Sequence, residues 1–151
     1  MKRRLSMKAK EIAVALFALA LVFGCGTQPP YGTEITINPS DYSLSVGEEV
    51  TVFEFFDILV TNDDIPLNGV EIEIRFTFAP PLPQPEGTFN FIYLLDEDLN
   101  RQDSPFITET GANGSYRLGV EIITTTSFFG DLEVSTGNAF ASSKIDVTRA
   151  F

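Results

Sequence analysis

The densest group of potential metal ligands is the acidic run at residues 96–103, with the sequence DEDLNRQD. Asp96, Asp98 and Asn100 stand at alternate positions, and Asp103 follows closely. Ca²⁺ prefers several oxygen ligands that lie close together along a loop. This spacing resembles the start of a calcium-binding loop, so Asp96, Asp98, Asn100 and Asp103 are candidate Ca²⁺ ligands.

The acidic run differs from the calcium loop of an EF-hand at two positions. Arg101 stands where that loop requires a turn glycine, and Ile107 stands where it requires a bidentate glutamate. Asp63 and Asp64 could contribute ligands from another loop at one end of the domain. A solvated acidic loop is therefore the favoured interpretation, and a calcium site is the alternative.

The composition argues against most catalytic machinery. The chain has no His and one Cys, so it cannot form a Ser-His-Asp triad, a Cys-His pair, a CxxC redox motif or a Cys-rich zinc site. The acidic residues could be proposed as the carboxylate pair of a glycosidase. Nothing in the sequence supports a sugar cleft around them. We therefore expect a protein that is not an enzyme and has no cofactor other than the calcium considered above.

The charge of the chain is strongly uneven. Residues 1–24 hold five basic residues against one acidic residue, a net charge of +4. The remainder holds five basic and 20 acidic residues, a net charge of −15. Because such an acidic body repels phosphate backbones, we expect no nucleic-acid partner.

The N-terminal segment has the pattern of a secretion signal. A basic stretch ends at Lys10, and the apolar residues Ile12–Phe23 follow before Gly24 and Cys25. Twelve apolar residues suit the central region of a signal peptide, whereas a spanning helix needs about 20. We therefore predict a signal peptide over residues 1–24.

The end of that signal resembles the lipobox of bacterial lipoproteins. The residues are Val22, Phe23, Gly24 and Cys25, and only Phe23 is bulkier than the usual occupant. The resemblance implies cleavage before Cys25 and acylation of its thiol with chains such as palmitate. Lipid would then hold the protein at the cell membrane or outer membrane. Gly26, rather than Asp, favours the outer membrane where the organism has one. An ordinary signal peptide cut elsewhere is the alternative.

The remainder of the chain predicts strands. Val70–Phe78 alternates apolar and polar residues over nine positions, which indicates a half-buried strand whose wet face carries Glu71, Glu73 and Arg75. Phe55 and Phe56 interrupt the alternation of the long run at 50–61, and we expect a β-bulge there. Other strands are predicted at 34–38, 42–46, 89–95, 105–109, 115–124, 131–135 and 139–148. The proline-rich segment 79–87 is expected to be a loop that protects a sheet edge.

Several of these segments resemble the bacterial Ig-like modules of the invasin and intimin kind. They are Ile35–Pro39, Leu44–Glu48, Val60–Asp63, Pro66–Val70 and Thr108–Gly114. The resemblance covers roughly residues 34–148 and implies an all-β, Ig-like β-sandwich of about 7–9 antiparallel strands. The expected organisation is a signal peptide at 1–24, the lipidated Cys25 with a short linker to residue 32, and one domain at 33–151. The segment 80–101 is longer than the usual connection in that family.

Twelve of the 14 Phe lie beyond the signal. Their simplest role is to fill the core, because Phe buries a large area without a polar atom. The alternative is an exposed aromatic strip, with Phe128, Phe129, Phe53 and Phe55 as candidates.

The expected function is a non-catalytic, membrane-anchored module for protein binding, scaffolding or adhesion in the cell envelope. Its expected partners are membrane lipid, through acylated Cys25, and a protein in the envelope or outside the cell. The domain would face the periplasm or the cell exterior. The alternatives are a surface lipoprotein that binds glycans or a Ca²⁺-dependent ligand, and a self-assembling subunit of a surface structure. An Ig-like fold does not discriminate among these functions.

Overall fold

The computed structural model describes residues 29–47, 50–79 and 86–150. The predicted signal peptide, Cys25, residues 26–28 of the linker and most of the proline-rich segment lie outside these residues. No helix occurs in the described ranges. Eleven strands form the domain: β1 Thr33–Asn38, β2 Asp41–Val46, β3 Val50–Asn62, β4 Ile65–Pro66, β5 Glu71–Ala79, β6 Asn90–Leu95, β7 Arg101–Gln102, β8 Phe106–Glu109, β9 Ser115–Thr124, β10 Phe128–Thr136 and β11 Ala139–Arg149.

The strands form two sheets. The first sheet has the order β1-β3-β9-β6-β7, and the short β4 also pairs with β3. The second sheet has the order β2-β11-β10-β5-β8. All pairs are antiparallel except β2 with β11, which is parallel.

Seven strands define the class of fold. In chain order they are β1, β3, β5, β6, β9, β10 and β11, and they divide into the sets β1-β3-β9-β6 and β5-β10-β11. This division of the seven strands between two sheets is that of an immunoglobulin sandwich. The domain is thus an Ig-like β-sandwich, and the fold class expected from the sequence is confirmed.

The strand count and one pairing differ from expectation. The structure has eleven strands rather than about 7–9, because four strands are added to the seven above, and one pair is parallel rather than antiparallel. The parallel pair forms because the chain leaves the first sheet at Pro39–Ser40 and continues in the same direction. Proline has no backbone N–H to donate and cannot extend the β1 ladder. The next strand therefore joins β11 at the edge of the second sheet.

The bulge expected in β3 is absent from the structure, and that prediction is wrong. The register with β9 runs without interruption from Val50 opposite Thr124 to Leu59 opposite Ser115. Phe56 is fully buried, whereas Phe55 faces outward and is 37% exposed. The two adjacent phenylalanines simply point to opposite faces of a regular strand.

The core fills the space between the sheets. Its largest fully buried side chains include Phe56, Phe128, Ile72, Leu118 and Leu132. Buried hydroxyl groups are satisfied by backbone carbonyls, as in the bond from Thr136 Oγ1 to the Glu71 carbonyl at 2.6 Å. The outward positions predicted for Glu71, Glu73 and Arg75 on β5 are confirmed, since the alternating residues Ile72 and Ile74 face the core.

Candidate functional site

The outer face of the first sheet carries a cluster of aromatic side chains. Phe53 and Phe55 lie on β3, and Phe91 and Tyr93 lie on β6. Phe53, Phe55 and Phe91 are 57%, 37% and 47% exposed, which is unusual for side chains of this size. We call this surface the aromatic face and define it by seven residues: Phe53, Phe55, Phe91, Tyr93, Arg101, Arg117 and Glu121.

The central strand β9 sets the spacing of this face. Glu121 lies opposite both Phe53 and Tyr93, and Gly119 lies opposite both Phe55 and Leu95. A Cβ placed on Gly119 would lie only 3.0 Å from the Leu95 Cβ. The glycine therefore makes room for Leu95, which is 3% exposed although it belongs to the outer side of its strand.

The rings on β6 form a row. The ring centroids of Phe89 and Phe91 are 5.4 Å apart, and those of Phe91 and Tyr93 are 6.3 Å apart with planes only 15° from parallel. The guanidinium carbon of Arg101 lies 3.9 Å from the Tyr93 centroid. The Phe91 and Tyr93 rings are thus nearly parallel, and Arg101 lies over the Tyr93 ring.

The two arginines of the aromatic face are paired with carboxylates as well as with rings. Arg101 Nε lies 2.7 Å from Glu121 Oε2, and the Glu121 side chain is only 10% exposed. Arg117 lies over the Phe55 ring at 4.7 Å and 3.9 Å from Asp57 Oδ1. The hydrogen bond to Glu121 raises the pKa of Arg101 above its usual value, so this charge is permanent. The face can lose water without leaving either guanidinium unpaired.

The outer face of the second sheet is different. Seven carboxylates and two cations point outward from it: Asp41, Glu71, Glu73, Glu109, Asp131, Glu133, Asp146, Arg75 and Lys144. We call this surface the acidic face. Its exposed apolar side chains, Ile107, Phe129 and Phe140, are scattered on three different parts of the sheet. Scattered apolar residues are normal on a protein surface.

The predicted calcium loop uses its central carboxylate for its own hydrogen bonds. Asp96 Oδ1 accepts from the backbone N–H of Asp98 at 3.0 Å and of Asn100 at 2.8 Å. Asp96 Oδ2 accepts from Gln102 Nε2 at 2.7 Å. The backbone hydrogen bond from Asn100 is the largest cause of a lowered Asp96 pKa.

These bonds leave no preassembled metal cage. Among the described residues, no group of three or more His, Cys, Asp or Glu is arranged to hold a metal ion. Asp98, Asn100 and Asp103 are exposed to solvent. Calcium binding by Asp96, Asp98, Asn100 and Asp103 stays a prediction, as does the favoured interpretation of a solvated acidic loop.

The start of the domain is held firmly. The Thr33 hydroxyl donates to the Pro30 carbonyl at 2.7 Å, and Asn62 Nδ2 donates to the Tyr31 carbonyl at 2.9 Å. This segment and the β10–β11 turn at Gly137 together line a cleft of about 270 Å³. Cys25 itself lies outside the described residues, and its acylation stays a prediction. No helix in the described part of the chain is long and apolar enough to cross a membrane.

The exposed aromatic strip was predicted in part. Phe53 and Phe55 are exposed, as that alternative proposed, but Phe128 is 2% exposed and Phe129 points to the opposite face. Core filling is likewise correct for Phe56 and wrong for Phe53 and Phe129. Sequence reasoning missed Phe91 as a surface residue. Its alternation with Phe89 and Tyr93 was visible, but alternation does not say which face is inward.

Comparison with known proteins finds solved structures of similar fold but assigns the chain to no family. No protein-family model and no curated protein matches the chain. A conjugative transposon lipoprotein from Bacteroides eggerthii matches with a TM-score of 0.45 and 12% identity, over 77% of this chain and 98% of that one.

Two further solved structures match at similar levels. The PapD-like domain 7 of human CEP192 matches with a TM-score of 0.45 and 10% identity, over 83% of this chain and 92% of that one. Titin domain M7 matches with a TM-score of 0.41 and 12% identity, over 82% of this chain and all of that one. At these TM-scores the likenesses carry no argument about ligands or partners.

Proposed function

We propose that this protein is a lipid-anchored, non-catalytic binding module of the cell envelope that holds a protein partner on its aromatic face. The observation that carries this proposal is the composition of that face. Three exposed Phe side chains adjoin two arginines, and each arginine is paired with a carboxylate and stacked on a ring.

A protein partner suits the chemistry of this surface. Aromatic residues and arginine are enriched in the cores of protein interfaces, and contiguous exposed apolar patches often mark them. Burying an unpaired charge would be costly, whereas the Arg101–Glu121 pair enters an interface already compensated. The partner is therefore expected to present a neutral, largely apolar surface.

A glycan is less well suited to the same surface. A sugar ring stacks flat on the open face of an aromatic ring. Here Phe91 and Tyr93 are stacked together, and Arg101 covers Tyr93. Arg117 likewise covers Phe55. Three of the four rings of the aromatic face are thus already in contact with another ring or a guanidinium, which leaves fewer open ring faces for a sugar.

Anchoring by lipid is supported by the N-terminal sequence. The lipobox-like residues Val22–Cys25 follow the apolar segment directly, and Cys25 is the only cysteine. Two or three acyl chains anchor a protein firmly, whereas one chain does so weakly. In this proposal the mature chain begins at Cys25 and carries one bacterial Ig-like domain of the invasin and intimin kind. The domain is held at the cell membrane or outer membrane.

Site-specific cross-linking in cells tests the binding surface. A photoreactive phenylalanine analogue is placed at Phe53, or at Phe129 as the matched control. The two residues are 57% and 56% exposed and lie on opposite faces. We expect one discrete protein adduct from position 53, none from position 129, and loss of the adduct when Phe91→Ser is added. Equal adducts from both positions, or none from position 53, would contradict the proposal. An adduct between two copies of the chain would favour the self-assembly alternative.

Mass spectrometry of the protein isolated from membranes tests the anchor. We expect a mature N-terminus at Cys25 carrying acyl chains, and Cys25→Ser should abolish both the acylation and the cleavage before residue 25. A mature chain that begins elsewhere, with an unmodified thiol, would overturn the lipoprotein assignment. Protease treatment of intact and lysed cells then tells whether the domain faces the exterior or the periplasm.

A further inference from the structure

The most exposed large hydrophobic side chains of the described residues lie together at one end of the sandwich. Tyr31, Ile65 and Phe140 are 98%, 66% and 62% exposed, and the next values are 57% for Phe53 and Ile107. Their exposure is therefore greater than that of any phenylalanine on the aromatic face.

Backbone pairing places these residues at the end where the chain enters the domain. Thr33 pairs with Asn62, and Asn62 also pairs with Ile65 across a two-residue turn. The Tyr31 carbonyl accepts the hydrogen bond from the Asn62 side chain. We call this end the tether pole and define it as residues 29–33, 62–66 and 137–140.

The third residue joins the tether pole through the β10–β11 turn. A Cβ on Gly137 would lie 2.6 Å from Pro29 Cγ, so the entering chain rests against this turn. Ala139 lines the same cleft as Tyr31, and Phe140 follows it on the outer face of β11.

The length of chain before the domain limits the distance of this pole from the anchor. Four residue steps separate Cys25 from Pro29. Fully extended, they span at most about 14 Å. A domain anchored through Cys25 therefore cannot hold the tether pole far from the lipid headgroups.

We infer that the tether pole rests on the lipid surface, with Tyr31, Ile65 and Phe140 in the headgroup region. The inference depends on the proposed acylation of Cys25. Tyrosine is favoured at the interface because its ring is apolar and its hydroxyl is polar. Ile65 and Phe140 add exposed apolar surface that would be removed from water in the headgroup region.

The charges of the pole select the kind of membrane. Asp63 and Asp64 precede Ile65 and are both exposed in a turn with φ angles of 48° and 63°. An anionic lipid surface attracts basic residues and repels these carboxylates. The contact therefore fits a mainly zwitterionic surface, and the carboxylates limit how deeply the pole enters.

This contact also orients the aromatic face. Strands β1 and β11 begin at the tether pole, and β3 and β10 end there. With the tether pole on the lipid, the strands run away from the membrane, and the aromatic face is turned to the side rather than toward the lipid. A partner held there would lie beside the domain, within the same layer of the envelope.

Tryptophan fluorescence tests the inference directly, because the chain contains no Trp. The substitutions Tyr31→Trp, Ile65→Trp and, as a control, Phe129→Trp are made one at a time in the acylated protein. Each variant is reconstituted into phosphatidylcholine vesicles with a brominated lipid as quencher. We expect a blue shift and loss of most emission for the first two variants. The control should keep the emission it has without brominated lipid.

The outcomes separate this inference from the proposed function. An acylated, vesicle-bound protein whose Tyr31→Trp and Ile65→Trp emission is unquenched overturns the membrane contact alone. Lack of acylation at Cys25 in protein taken from cell membranes overturns both. Replacing part of the phosphatidylcholine with an anionic lipid should reduce quenching, and the double change Asp63→Asn with Asp64→Asn should restore it. Quenching that rises with anionic lipid would contradict the assignment of a zwitterionic surface.

Discussion

Charged side chains are paired differently on the two outer faces of the sandwich. On the aromatic face, Arg101 meets the nearly buried Glu121, and Arg117 is stacked on Phe55 near Asp57. On the acidic face, seven carboxylates share two cations, and the Arg75–Glu73 pair is open to solvent. The same sandwich therefore has one face whose charges are already paired, the aromatic face, and one whose excess carboxylates need water, the acidic face. The arrangement of the charges, as well as the number of exposed apolar residues, therefore distinguishes the aromatic face from the acidic face.

The largest expected effect comes from the glycine in the central strand of each sheet. A Cβ on Gly130 would lie 2.5 Å from Phe76 Cζ and 2.7 Å from the Thr77 carbonyl oxygen, which belongs to the backbone. A Cβ on Gly119 meets the Leu95 side chain at 3.0 Å. We expect Gly130→Ala to destabilise the domain by about 2–3 kcal/mol and Gly119→Ala by about 1 kcal/mol. Denaturant unfolding checks the order, and the reverse order would contradict this account of packing.

The two ion pairs give a matched test of the next effect. The arginine side chains are equally exposed, 52% for Arg101 and 53% for Arg75, but Glu121 is 10% exposed and Glu73 is 40% exposed. We expect Arg101→Ala to be clearly destabilising, because it leaves a nearly buried carboxylate unpaired. Arg75→Ala should cost no more than about 0.5 kcal/mol. Equal costs in urea denaturation would remove the distinction between the faces.

The acidic face should respond to a charge reversal at its edge. Glu71 and Glu109 stand directly opposite each other on β5 and β8, and like charges in this position repel. Glu109→Lys should therefore stabilise the domain by roughly 0.5 kcal/mol, and high salt should remove the gain. Glu34→Lys is the control, since it changes the net charge equally but faces Thr61. An equal gain from both variants would indicate a general effect of net charge.

The smallest effect concerns the loop beside the aromatic face. Hydrogen bonds, chiefly from the Asn100 backbone, lower the Asp96 pKa below its ordinary value of 3.8. A lowered pKa contributes stability above pH 3.8, and this stability is lost as the pH falls through the lowered pKa. The stability gap between the natural chain and Asp96→Asn should therefore be constant near neutral pH and close in acid. Thermal melts at a series of pH values measure this gap, and a gap that widens in acid would have the wrong sign.

The limits of sequence-based prediction are clearest when β5 is compared with β3. The faces of β5 differ in polarity, so alternation alone identified Glu71 and Glu73 as outward and the pattern was confirmed. Both faces of β3 carry apolar residues, because Phe53 and Phe55 face outward while Phe56 and Ile58 face the core. A pattern of period two has no readable phase when both faces are apolar. The expected bulge was a misreading of that ambiguity.

Other features depend on contacts between distant parts of the chain. The Arg101–Glu121 pair joins residues 20 positions apart, and the β2–β11 pairing joins the first third of the chain to its end. No local pattern reports such pairings. Conversely, the candidate anchor at Cys25 rests on sequence alone and is independent of the fold.

The path of the chain from β1 to β2 has a mechanical consequence. The entering segment is bonded to the first sheet along β1, crosses at Pro39, where the Ser143 hydroxyl donates to the carbonyl, and is bonded to the second sheet along β2. A pull from the anchor along these strands is resisted by both ladders in shear, so many hydrogen bonds bear the load together. A domain tied to a membrane at one end and to a partner on its side would transmit force without peeling open from its first strand.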